Sequence, residues 1–324
     1  MPMQGGGTEI KMKKIYIASC VPDGGIYRFS MSDNKLNRES FTPVDQPMFF
    51  AVNDNKMHVL LRDPFGNDIS GMCTFDIDPD GNLTNKSETI PTKGKVACHI
   101  CTCDDDVYAV NYSSGSAIHF PDTLAVHEGK GINPKRQEMP HTHFVGATPD
   151  KKYICVTDLG LDKIFFCDRN LNTCFTAAVP QGYGARHLAF SDDGQYIYCV
   201  NELVSSVTVF EYDGKSVKPH ETYSALPNEF CGTNLGAAIR IYKNRLYVSN
   251  RGHNSIAVFD INDDKLELSD FIMTGDHPRD FNIADDMIFC CNMNDDTVTL
   301  YSINDSFRLI DTISVKAPLC VNFE

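Results

Sequence analysis

Six side chains able to act on a small anion recur at two fixed places in this 324-residue sequence: Tyr112, Glu202 and Arg251 at one, His143, Arg186 and Arg279 at the other. An imidazole titrates near neutrality, so it can take a proton from water and return it to a leaving group. A guanidinium stabilises a developing oxyanion or grips a carboxylate or phosphate through paired hydrogen bonds. A glutamate set between arginines stays ionised and orients them or the imidazole. These parts suit proton transfer on an anionic substrate, with the imidazole as proton carrier, the arginines as charged clamps and the glutamate as their organiser. Tyr112, Arg279, His187 and His99 are expected to face the substrate. Singly, each has a plainer role, as a solvated arginine, a paired glutamate or a satisfied core histidine. Their coincidence at matched positions is what argues for a site.

Those positions are defined by a repeat. Seven short apolar runs, IYIASC (from Ile15), MHVLLRD (Met57), VYAVNY (Val107), YICVTDL (Tyr153), YIYCVNEL (Tyr196), LYVSNR (Leu246) and MIFCCNM (Met287), start 41 to 50 residues apart. Each is followed, after a polar turn, by a second strand-like run such as SSVTVFEY (Ser205) or NSIAVFDI (Asn254). Short alternating strands at a period in the forties predict an all-β, seven-bladed β-propeller. The absence of tryptophan argues against the WD40 class. The repeat runs without a linker, so residues 13–324 are expected to be a single propeller and residues 1–12 a flexible leader. The final segment APLCVNFE matches the strands beginning GARHLAF and HPRDFNI, whereas nothing comparable precedes KKIYIAS. The C-terminus is therefore expected to supply the innermost strand of the first blade and hide an otherwise open sheet edge.

Aligning the runs on their ends puts Asp63, Asn111, Asp158, Asn201, Asn250 and Asn292 in register, with Cys20 the exception. An Asn or Asp shared by nearly all repeats reads as a turn device that bonds local backbone. The next residue varies instead: Pro64, Tyr112, Leu159, Glu202, Arg251 and Met293. A second variable position lies thirteen to fifteen residues upstream of the marker, at Met48, Cys98, His143, Arg186, Leu235 or Gly236, and Arg279, with Leu319 at the C-terminus. In antiparallel strands the start of one and the end of the next share a face, so both sets converge on one mouth of the channel.

A formal net charge of −14 opposes binding to nucleic acid or anionic membrane, so an anionic ligand must be met by a local basic cluster. No apolar run is long enough to span a membrane, and the N-terminus lacks the plan of a signal peptide. Thirteen cysteines, an odd number, lie largely within strand runs, which points to small buried residues and a reducing cytoplasm rather than a disulfide set. In the cluster Cys98, His99, Cys101, Cys103, strand alternation turns Cys98 away from the rest, so no metal site is expected.

The stretches MPHTHFVGATPDKKYICVTDLGLDKI (139–164), GYGARHLAFSDDGQYIYCVNELVSSVTVF (182–210) and LYVSNRGHNSIAVFDI (246–261) resemble the seven-bladed lactonase family, and VNYSSGSA (110–117) and HPRDFNI (277–283) extend the match. That family includes the propeller-type 6-phosphogluconolactonase and the 3-carboxy-cis,cis-muconate lactonizing enzyme. The family's usual Gly-Pro-Arg-His reads Gly184-Ala185-Arg186-His187 here, which keeps the arginine and alters the turn before it. The resemblance implies a channel-mouth set of His143, Arg186, Glu202 and Arg251, with His141 as a supporting partner. It also implies hydrolysis of a sugar-acid lactone, foremost 6-phosphogluconolactone, needing neither metal nor cofactor. The same parts run in reverse would give a lactonizing cycloisomerase. A calcium-dependent lactonase could use Asn111, Asn201 and Asn250, yet arginines at the same mouth oppose a dication. A non-catalytic scaffold would not need a matched His, Glu and Arg set. No Gly-x-Ser-x-Gly elbow is present.

Overall fold

The computed structural model describes residues 14–262, 265–304 and 306–324. The expected leader, residues 1–12, lies outside the described residues. The described residues form seven small antiparallel sheets arranged as a ring, a seven-bladed β-propeller. The innermost strands, from blade 1 to blade 7, are Pro318–Phe323, Pro47–Asn53, Ala97–Cys103, Thr142–Ala147, Ala185–Phe190, Leu235–Tyr242 and Pro278–Ala284. The second strands, in the same order, are Ile15–Ser19, Lys56–Leu61, Asp106–Asn111, Ile154–Asp158, Tyr196–Asn201, Arg245–Arg251 and Met287–Asn292. These carry the seven apolar runs of the sequence. Their buried residues interleave with those of neighbouring blades: Tyr198, Val200 and Val209 of blade 5 pack with Ile239, Leu246, Val248 and Phe259 of blade 6.

Polar residues set the turns between strands. Two-residue hairpin turns at Asp33-Asn34, Lys243-Asn244 and Asp285-Asp286 hold both central residues at positive φ, between 48° and 61°, the twist that antiparallel hairpins favour and that Asn and Asp tolerate. The marker residues act as local connectors. The side-chain amide of Asn201 donates to Ser206 and Thr208, and that of Asn292 to Thr297 and Thr299. Asp158 accepts the backbone N–H groups of His141 and Leu161.

The C-terminal strand pairs with Ile15–Ser19 and closes the ring, as the sequence predicts. Its residues Leu319, Cys320 and Val321 are at most 9% exposed. Each large apolar side chain buried this way contributes about 1.5–3 kcal/mol, against a total folding stability of about 5–15 kcal/mol. Deleting 318–324 is therefore expected to remove soluble folded protein, with size-exclusion chromatography showing aggregate. A soluble truncated protein with an unchanged melting temperature would contradict this closure.

Candidate active site

All seven innermost strands carry a β-bulge at one level. In blade 5, Ala185 pairs with Asn201 and His187 with Val200, leaving Arg186 between them without a ladder partner. The same step isolates Leu319, Met48, Cys98, His143 and Arg279. In blade 6 the extra residue falls between Gly236 and Ile239, and Arg186 Nη1 bonds the Ala237 carbonyl at 2.6 Å. The blade 6 residue at this level is therefore Ala237, not Leu235 or Gly236 as sequence spacing suggested. A bulge re-aims one side chain while the ladder resumes on either side. In five blades the chain enters this strand through a residue at positive φ: Gln46, Val96, Gly184, His277 and Ala317. Four of these are not glycine and Val96 is β-branched, so the entry holds backbone strain at the channel mouth.

A backbone hydrogen bond marks the other position independently of side chains. The N–H of Cys20, Arg62, Tyr112, Leu159, Glu202 and Met293 each donates to the carbonyl of the residue preceding the innermost strand. In blade 2 the mouth residue is thus Arg62, and the marker is Leu61 rather than Asp63. In blade 1 the marker is Ser19 and Cys20 is the mouth residue. The sequence register slipped by two residues in blade 2 because the run MHVLLRD has an apolar residue where other blades have Asn or Asp.

The two sets meet around a cavity of about 270 Å³ lined by Tyr112, Arg136, His143, Glu202, Arg251 and Arg279 on its charged side. Met48, Val96, Cys98 and Leu235 complete the wall. Glu202, 3% exposed, is its organising centre. Its Oε2 lies 2.9 Å from both Arg186 Nε and Arg251 Nη2, and its Oε1 lies 2.5 Å from Arg136 Nη2. Burial opposes the glutamate's charge, but Arg251 and Arg186 outweigh it and hold the carboxyl well below its ordinary range. Burial lowers Arg251 to about 10, which leaves it charged at neutral pH. Its Nε is buried without a hydrogen-bond partner. Arg186 is 2% exposed, and burial together with Arg279 and Arg251 works against its charge. The Glu202 contact and the high basicity of guanidinium keep it protonated.

His143 stands edge-on to Tyr112, with ring centroids 5.7 Å apart, and to His187 at 5.1 Å. Burial and the charge of Arg186 push its imidazole well below 6.5. The ring is neutral at neutral pH and its Nδ1 has no partner. His141 stacks on Tyr112 at 4.4 Å and bonds the Tyr112 carbonyl through Nδ1 at 3.1 Å. It supports the ring of Tyr112, which in turn flanks His143. Arg279 makes no hydrogen bond or ion pair among the described residues.

His187 and His99 lie deeper. His187 borders a small void beneath the mouth cavity with Met48, Arg186 and Arg279. His99 packs between Phe49 and Phe144 and lines a separate cavity of about 490 Å³ with Arg240 and Asn282. The structure thus gathers Tyr112, His143, Glu202, Arg251 and Arg279 around one cavity with Arg186 immediately below, and sets His99 apart. Among the described residues no group of three or more His, Cys, Asp or Glu side chains is placed to hold a metal ion. No helix among them is long and apolar enough to cross a membrane.

Arg136 escaped the sequence reading because it lies outside the repeat, on the connection between Val126 and Thr142. The one signal for it in the sequence was the length of that connection.

A closed ring of seven blades, with arginines and a histidine aimed at one mouth, is the frame on which comparison with known proteins rests. The family described as Lactonase, 7-bladed beta-propeller matches residues 14–323, and the chain belongs to it. An uncharacterized protein of Staphylococcus aureus (strain USA300) is 30% identical over 331 aligned positions, covering 92% of this chain and 96% of its own. A crystal structure of a protein from Lactobacillus plantarum superposes with a TM-score of 0.87 at 27% identity, covering 97% of this chain and 100% of its own. A protein of Bacteroides uniformis ATCC 8492, provisionally described as a 6-phosphogluconolactonase, superposes with a TM-score of 0.87 at 25% identity, covering 96% and 99%.

Proposed function

We propose that the protein hydrolyses a phosphorylated sugar-acid lactone, 6-phosphogluconolactone foremost, at the mouth cavity. The observation that carries this reading is a neutral imidazole beside a cavity bordered by Arg136, Arg251 and Arg279 and only one glutamate. His143 takes a proton from water as the water oxygen bonds to the lactone carbonyl carbon. The carbonyl oxygen gains negative charge, which the guanidinium of Arg251, a lining residue of the cavity, would stabilise. Collapse of the tetrahedral intermediate breaks the ring C–O bond, and the imidazolium returns its proton to the departing alkoxide. Glu202 holds Arg186 and Arg251 in position throughout. Thirteen free cysteines support a reducing compartment, the cytoplasm, as the setting.

The test is acid release from a panel of lactones with and without phosphate, measured against the spontaneous rate. Catalysis is expected with 6-phosphogluconolactone. No rate above background on it would remove the preferred substrate, and turnover of a muconate-derived acid in the ring-closing direction would favour cycloisomerisation by the same residues. The pH dependence is a second readout. A base whose pKa is depressed keeps its neutral form as pH falls through 6.5, so kcat is expected to hold across pH 7.5 to 6 and decline only at more acidic values. An acid limb centred at or above 6.5 would exclude His143 as the base.

A further inference from the structure

The connection between blades 3 and 4 is built as a fixed strap. Gln137 is fully buried, and its side-chain amide donates to the Leu159 carbonyl at 2.9 Å and to Asp162 Oδ1 at 2.8 Å. Asn133 Oδ1 accepts the backbone N–H groups of Lys135 and Arg136. Asp162 also accepts the N–H groups of Gly182 and Gly184, the turn that feeds Arg186 into the channel. One buried carboxylate thus ties the strap to the catalytic turn. The product of this bracing is a single side chain delivered to the cavity, Arg136.

Arg136 makes both of its contacts through one nitrogen. Nη2 reaches Glu202 Oε1 at 2.5 Å and Tyr112 Oη at 3.4 Å, while Nη1 and Nε have no partner among the described residues. The side chain is 33% exposed. Glu202 is already held through Oε2 by Arg186 and Arg251, and both weigh more than Arg136 in keeping its carboxyl ionised. The same cavity is lined by Arg279, whose guanidinium makes no hydrogen bond or ion pair among the described residues. Two guanidinium groups with free donors on one cavity form a receptor for an oxyanion with several acceptor oxygens.

Resting on the lactonase reading, we propose that Arg136 determines substrate specificity by binding, together with Arg279, the anionic group that the substrate carries away from its ester. The chain then selects phosphorylated or carboxylated lactones over neutral ones through a residue outside the repeat. Arg136→Gln and Arg136→Lys are compared with the wild type in two assays. In the first, kcat/KM is measured for 6-phosphogluconolactone and for the neutral glucono-δ-lactone. The preference for the charged lactone is expected to fall by about 10- to 100-fold in Arg136→Gln, the size of one or two charge-assisted hydrogen bonds, mainly through KM, with partial recovery in Arg136→Lys. Equal losses on both lactones would mean that Arg136 acts only through Glu202 and would overturn the proposal, as would no loss on either. In the second, binding of inorganic phosphate is measured by calorimetry, and Arg136→Gln is expected to weaken it by at least about 10-fold. If the wild type opens no lactone but binds phosphate through Arg136, the lactonase reading fails and the anion site stands. If the wild type binds no phosphate, or Arg136→Gln binds it equally well, the anion site fails.

Discussion

Replacing His143 by alanine is expected to lower lactone hydrolysis by about 10²- to 10⁴-fold, the usual contribution of a positioned general base. The imidazole is neutral in the resting protein. Its removal therefore leaves the charge balance of Glu202 and its arginines unchanged, and a lost rate reports lost proton transfer rather than a collapsed site. The residue occupies a bulge, so the flanking pairs Thr142 with Asp158 and Phe144 with Thr157 survive the substitution. A folded His143→Ala protein with near-native activity would show that another group moves the proton. Thermal melting of the variant beside its rate separates the two effects.

Substituting Glu202 by alanine is expected to have the largest effect on stability. It would leave Arg186, 2% exposed, and Arg251, 6% exposed, as neighbouring buried cations without their shared carboxylate. Breaking a buried pair from one side costs about 3–5 kcal/mol, so the melting temperature should fall by many degrees and the lactonase rate should fall with it. Glu202→Gln keeps the shape and one acceptor and should lie between. In the native protein the carboxyl is held well below its ordinary 4.5. Its stabilising contribution is complete above that value and is lost only as the pH falls through the depressed folded value. Wild type and Glu202→Gln should therefore converge in stability under strongly acidic conditions. A Glu202→Ala protein that melts like the wild type would refute the view of this residue as the organiser of the charges.

Much of the site could be read from sequence because its geometry is repetitive. His143, Arg186 and Arg279 were found by spacing, since the bulge that aims them recurs in every blade. Arg62 was missed where the repeat itself drifts: Leu61 replaces the polar marker, and only the Arg62 N–H bond to Gln46 restores the register. Ala237 was misplaced because the turn joining the first two strands is shorter in blade 6, where Tyr242 and Arg245 flank it, than in blade 5, where Phe190 and Tyr196 do. His99 illustrates a different limit. His99 was expected to face the substrate, yet which cavity it lines depends on packing against Phe49 and Phe144. Arg136 belongs to a connection, Val126 to Thr142, longer than those between the other blades, and anchoring through Gln137 and Asp162 brings it to Glu202.

The recurring bulge has an evolutionary meaning. A residue outside the ladder can change identity without disturbing strand pairing, so Leu319, Met48, Cys98, His143, Arg186, Ala237 and Arg279 form a ring of separately adjustable positions on an unchanging frame. New substrates can be accommodated by exchanging these spokes without rebuilding the frame, with Arg186 changed only together with its partner Glu202, and the same seven codons are the natural targets for directed evolution of this scaffold.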